Sequence, residues 1–103
     1  MTIEDFSKYI KREKPIVYFG IIKQLECVKI GTTIDFESRK KTLESIIPCD
    51  IIFYCIKFPS KSSACKAEKL LHKKYARYNI KAEWFELNTE LLCEITKSNS
   101  TKA

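Results

Sequence analysis

The sequence predicts a single α/β (α+β) domain, a small three-stranded antiparallel sheet flanked by helices. Three observations lead there. At 103 residues the chain has room for one hydrophobic core and not for two. Its 45% hydrophobic and 12% aromatic content excludes a disordered chain. The apolar period switches between helical and extended spacing in the order helix, strand, strand, helix, strand, helix, short strand, helix.

Residues 3–13 place Ile3, Phe6, Tyr9 and Ile10 at helical spacing, and Pro15 stops the run, so residues 1–14 read as an N-terminal helix. Ile16-Val17-Tyr18-Phe19-Gly20-Ile21-Ile22 is β-branched and aromatic, the composition of a strand. A polar break at Lys23-Gln24 precedes a second strand, Cys27-Val28-Lys29-Ile30, which Gly31 ends; the two form an antiparallel hairpin. From Asp35 the pattern turns helical, with Phe36, Leu43 and Ile46 on one face, Thr33 or Asp35 as the cap, and Pro48 at the end. Residues 50–58 are the most apolar strand and are expected to be the best buried. Ser62 or Ser63 opens the next helix, which runs to about Tyr78 with Ala64, Ala67, Leu71, Tyr75 and Tyr78 as its buried stripe. Glu83-Trp84-Phe85-Glu86-Leu87 is a short extended piece, residues 89–97 a closing helix, and residues 98–103 a flexible tail.

Charge and cysteine usage narrow the function classes. The net charge of +6 and pI of about 9.1 fit a nucleic-acid partner, although basic balance also serves solubility or an acidic protein partner. The five cysteines include no CxxC pair, and the one histidine, His72, is too far from any of them to complete a zinc site. They read as reduced thiols of a cytoplasmic or nuclear protein. The acidic N-terminus lacks a signal-peptide pattern, and the longest apolar run, residues 51–56, is too short to span a bilayer. The expectation is a soluble, non-secreted protein without a membrane partner.

Four motifs stand in order. They are Ile16-Val17-Tyr18 in the first strand, Lys29-Ile30-Gly31 in the second, Arg39 in the following helix, and Glu68-x-x-x-His72 leading to Glu83-Trp84-Phe85. This arrangement resembles the GIY-YIG nuclease superfamily, in the divergent branch of phages, large DNA viruses and fungi whose second motif reads Lys-Ile-Gly. The resemblance covers residues 15 to about 87, within a domain of residues 15–97. The first motif keeps only its tyrosine, and Lys29 stands where most of the superfamily has a second tyrosine. Glu83 falls by spacing near the superfamily's late asparagine, between Asn79 and Asn88.

The resemblance implies a metal-dependent endonuclease acting on DNA, with Tyr18, Lys29, Arg39 and Glu68 as catalytic residues. Glu68 would hold a single Mg2+ or Mn2+ ion, with no small-molecule cofactor. Arg39 would grip phosphate oxygens with its fork of donors. Tyr18 would act as general base or position the attacking water, with Lys29 the neighbouring cation that lowers its pKa. Lys40, Lys41, His72, Lys73 and Trp84 are the candidates for nucleic-acid contacts. Each residue also has a plainer reading. Tyr18 can be an ordinary strand aromatic, Arg39 one charge of a solvated helical face and Lys29 protection for a sheet edge. Glu68 can simply pair along its helix, and Trp84 can be core. The alternatives to the nuclease are a non-catalytic DNA-binding module on the same fold and a protein-interaction domain.

Overall fold

The computed structural model describes residues 14–98 and 100–103; the helix expected over residues 3–13 lies outside them. Six strands form one antiparallel sheet: β1 (Ile16–Ile22), β2 (Cys27–Thr33), β3 (Ile52–Lys57), β4 (Asn79–Lys81), β5 (Trp84–Glu86) and β6 (Thr101–Lys102). Their order across the sheet is β4-β5-β2-β1-β3-β6. Three helices are described: α1 (Phe36–Ile46), α2 (Lys61–Lys74) and α3 (Thr89–Lys97).

The three-stranded sheet expected from the sequence is therefore only the centre of a six-stranded one. The three additional strands are two or three residues long, too short to carry a period of their own. Pairing with an existing edge holds each of them. β5 lies along β2 from Cys27 to Lys29, β4 lies along β5, and β6 pairs Thr101 with Cys55 and Lys102 with Tyr54. Ala103 N–H donates to the Phe53 carbonyl at 2.9 Å, so part of the expected flexible tail is built into the sheet.

Burial is deepest in β1, where all seven residues are buried, and not in β3. β1 has full-length partners on both sides, β2 and β3, and is covered on both faces. β3 meets only the two-residue β6 on its outer side. The extended backbone sends alternate side chains to opposite faces. Ile16 and Tyr18 join Phe53 and Leu43 in a small cluster, with Phe36 and Ile47 packed against it. Val17, Phe19 and Ile21 join Val28, Ile30 and Phe85 in a larger cluster covered by Ala64, Tyr75, Leu91 and Ile95. The sheet is thus a layer between α1 on one side and α2 with α3 on the other.

Local chemistry fixes the helix ends. Asp35 caps α1, accepting from Ser38 N–H at 3.2 Å. In place of the expected Ser62 or Ser63, Ser60 caps α2: its hydroxyl accepts from Ser63 N–H while Ser63 Oγ accepts from Ser60 N–H, a reciprocal capping box. Ile46, expected on the buried face of α1, is 68% exposed; Ile47, one residue on and four from Leu43, packs instead. The helix expected to reach about Tyr78 ends at Lys74, and a 3-10 turn carries the chain from Ala76 to Tyr78. The apolar stripe still faces the core, with Ala64 and Tyr75 buried and Ala67, Leu71 and Tyr78 packed against it.

Neighbouring leucines on α3 give a direct check of this packing. Leu91 is 0% exposed and Leu92 is 40% exposed. Leu91→Ala is expected to cost about 2–5 kcal/mol in urea unfolding. Leu92→Ala should cost less than about 1 kcal/mol, and equal losses would contradict the orientation of α3.

Candidate active site

β5 accompanies β2 only along Cys27–Lys29. Ile30 N–H still donates to the Glu83 carbonyl at 3.0 Å. From Gly31 onward β2 pairs only with β1 among the described residues, which leaves an open edge. Tyr18 lies opposite Gly31 in the β1–β2 register. Its ring leans so closely over this glycine that a Cβ at Gly31 would meet Tyr18 Oη at 2.6 Å and Cζ at 2.7 Å. Any side chain at residue 31 would displace the phenol.

The Tyr18 side chain is fully buried, and among the described residues its hydroxyl makes no hydrogen bond of ordinary geometry, although the Arg39 guanidinium comes close enough to favour the phenolate. Burial pushes its pKa up from 10.0 to about 12, and the carboxylates of Glu83 and Glu68 act in the same direction. The Arg39 guanidinium opposes them. One buried hydroxyl therefore feels charges from α1, from α2 and from the turn before β5.

Lys29 shares the sheet face of Tyr18 but is otherwise engaged. Its Nζ lies 2.9 Å from Glu83 Oε2 and 5.4 Å from the centre of the Trp84 ring. The expectation that Lys29 lowers the pKa of Tyr18 is overturned: that pKa rises, and the cation acting on the phenol is Arg39. Because Lys29 sits over the Trp84 face, the indole is a cation platform rather than an open surface for a base.

Glu68 comes from the opposite face of the sheet, where it lies beside His72. The His72 ring packs edge-on against Phe85, with centres 4.9 Å apart. Its Nε2 lies 2.9 Å from the Ile30 carbonyl oxygen. A carbonyl only accepts, so Nε2 carries the proton. Glu68 Oε1 lies 3.5 Å from the same nitrogen, one helical turn away. His72 thus ties α2 to the Lys-Ile-Gly segment.

Arg39, Glu68 and Glu83 lie within electrostatic reach of the Tyr18 hydroxyl, and Glu83 is paired with Lys29. The structure does not bring Lys40, Lys41 or Lys73 there. Lys41 and Lys73 are exposed, and Lys40 acts on Cys55 of β3. His72 points inward. Glu83 was not among the candidates, although its motif position was the available signal. The two flanking asparagines are committed elsewhere: Asn79 Nδ2 donates to the Ala82 carbonyl at 2.8 Å, and Asn88 caps α3 by accepting from Leu91 N–H at 3.0 Å.

A family model described as the T5orf172 domain matches residues 15–100. No curated protein and no solved structure matches the chain. No helix among the described residues is long and apolar enough to cross a membrane.

The Tyr18 hydroxyl yields a stability prediction with a pH sign. Tyr18→Phe removes a buried polar group that lacks a well-formed hydrogen bond, so at neutral pH the variant should be as stable as the parent or up to about 1 kcal/mol more stable. The folded phenol keeps its proton to about pH 12 while the unfolded one loses it near 10.0. Its contribution is therefore complete below the unfolded value and falls as pH rises toward the folded one. Unfolding curves across this range should show a shallower alkaline decline for Tyr18→Phe; identical declines would contradict the buried phenol.

Proposed function

The chain belongs to the T5orf172 domain family, and from that footing we propose that it is a metal-dependent endonuclease with a GIY-YIG-type site, hydrolysing DNA phosphodiester bonds. The observation that carries this reading is the Tyr18 hydroxyl, buried without a well-formed hydrogen bond where Arg39 and Glu68 act on it. A buried hydroxyl without a well-formed hydrogen bond adds nothing to stability, and phenylalanine would fill the same space at no loss or with a gain of up to about 1 kcal/mol. A polar atom retained without benefit to stability, among opposite charges, is the pattern of a working site.

Each side chain has a task suited to its surroundings. Arg39, exposed on α1, presents a rigid fork of donors to phosphate oxygens. Tyr18 keeps its proton in the substrate-free protein and its hydroxyl is shielded from solvent there, so it orients the attacking water only once substrate binding opens the surroundings of the ring. Arg39 is the charge that favours proton loss from Tyr18 once substrate is in place. The half-buried Glu68 carboxylate, which lies beside His72, is the group that would hold the metal.

The donor set fits magnesium or manganese better than zinc. Among the described residues no group of three or more His, Cys, Asp or Glu side chains could hold a metal. Magnesium commonly takes one or two carboxylates and fills its remaining positions with water and phosphate oxygens. When bound, such an ion supplies positive charge to the phosphate oxygens.

Two observations favour a second reading, a DNA-binding module that has lost catalysis. Lys29 is neutralised by Glu83, and Tyr18 is pushed away from the phenolate.

Supercoiled plasmid with magnesium or manganese separates the two. The parent protein should nick it, Glu68→Ala and Tyr18→Phe should fall to background, and Arg39→Ala should lose on the order of 10²–10³ in rate. Salt-sensitive binding by the parent without nicking would establish the second reading. Neither binding nor nicking would end both.

A further inference from the structure

A cavity of about 210 Å³ opens beside the Tyr18 cluster, where the end of β2 meets α1 and the first turns of α2. Arg39, Lys61, Thr32, Ala64 and Cys65 are among its lining residues, and no carboxylate lines it. Arg39 therefore belongs to both places, acting on the Tyr18 hydroxyl and bordering the cavity.

Neither of the cavity's two cations is neutralised by a carboxylate among the described residues. Lys29, Lys74 and Arg77 are each matched with a glutamate, whereas neither Arg39 nor Lys61 forms an ion pair among the described residues. Two cations converging on one concavity, with no carboxylate to offset them, make a region of positive potential that recruits an anion. Lys61 begins α2, whose capped N-terminus adds the positive end of the helix dipole.

Size and position narrow the anion. Pockets for drug-sized ligands usually run to roughly 300–1,000 Å³, so this one is small for a whole nucleotide and suited to a phosphate with its waters. Lys61, Cys65 and Glu68 recur along one face of α2. The seven steps from Lys61 to Glu68 span about 10 Å of helix axis. An anion in the cavity thus sits apart from a phosphate held at Tyr18 and Glu68, at a distance a neighbouring nucleotide of the same strand can bridge.

We infer that this cavity is a second phosphate subsite, in which Lys61 and Arg39 hold a backbone phosphate of the DNA strand adjacent to the one attacked. It rests on the nucleic-acid reading above and extends it with Lys61, which lies outside the catalytic cluster, while Arg39 is shared between the two places. Holding two successive phosphates fixes the path of the strand across the open edge of β2, which a single contact leaves free to pivot.

Cys65 makes the site observable without catalysis. The protein is treated with an alkylating reagent in EDTA, with and without a duplex oligonucleotide, and modification at each cysteine is followed by mass spectrometry. DNA should slow alkylation of Cys65 several-fold and leave the exposed Cys93 on α3 unchanged. In parallel, Lys61→Gln should weaken binding and reduce the slope of log affinity against log salt by about 0.9, the share of one phosphate contact. Lys61 is exposed, so the variant should fold as the parent does. Salt-dependent binding with Cys65 unprotected, or with the slope unchanged in Lys61→Gln, overturns the subsite and leaves the nuclease reading standing. A protein that binds no DNA at all overturns both.

Discussion

The close approach of Tyr18 to Gly31 is the constraint on which the rest of this molecule is arranged. A phenol reaching across from the central strand can lie over β2 only where β2 carries no side chain, and Gly31 supplies that place. The geometry also needs β1 held firmly in the middle of the sheet, which its complete burial and two full-length neighbours achieve. It needs an open edge beyond Gly31, and β5 leaves β2 after Lys29 to provide one. Core, glycine and short strand therefore answer a single requirement: one polar atom, carried by a buried ring, set where groups from several elements can reach it.

Those groups arrive from both sides of the sheet. α1 packs on the Tyr18 face and brings Arg39; α2 packs on the other face and brings Glu68. Hydrophobic contacts set the distance between layers but do little to fix rotation about a helix axis. The His72–Ile30 hydrogen bond does so for α2, since it is directional and falls on the strand segment that ends in Gly31. The ring of His72 on Phe85 couples the same helix to β5. By contrast, the Lys74–Glu94 and Arg77–Glu90 pairs between the end of α2 and α3 involve exposed lysine and arginine side chains and contribute little to stability.

What the sequence revealed of this arrangement follows the length scale of each interaction. β1, β2 and β3 are six or seven residues long and announce themselves by composition, as does the apolar stripe of α2. β4 and β6 exist because an edge was available, and edges are a tertiary property that two or three residues cannot encode, whereas β5 was legible as the extended piece at residues 83–87. Burial of β3 was overestimated for a related reason: its residues are the most apolar, but depth depends on neighbours, and β1 has the central place. The Ser60-Lys61-Ser62-Ser63 run contains a cap, yet only the helix axis selects Ser60 from three similar hydroxyls. At the site, motif order brought Tyr18, Arg39 and Glu68 into view. It was silent on the partner of Lys29, which lies on a distant turn, and on the carbonyl that holds His72.

That partner gives Lys29 a structural task. In the sequence, Lys29 and Glu83 stand 54 positions apart and look unrelated. In the structure they are 2.9 Å apart, with the Lys29 side chain only 15% exposed. A lysine there without Glu83 would leave a largely buried cation uncompensated, and Glu83 without Lys29 would add an unbalanced negative charge beside Tyr18. Each residue is costly alone and tolerable with the other, so the two act as one unit, an ion pair of zero net charge. The pairing leaves Arg39 as the cation that acts on the phenol, a task the sequence had assigned to Lys29.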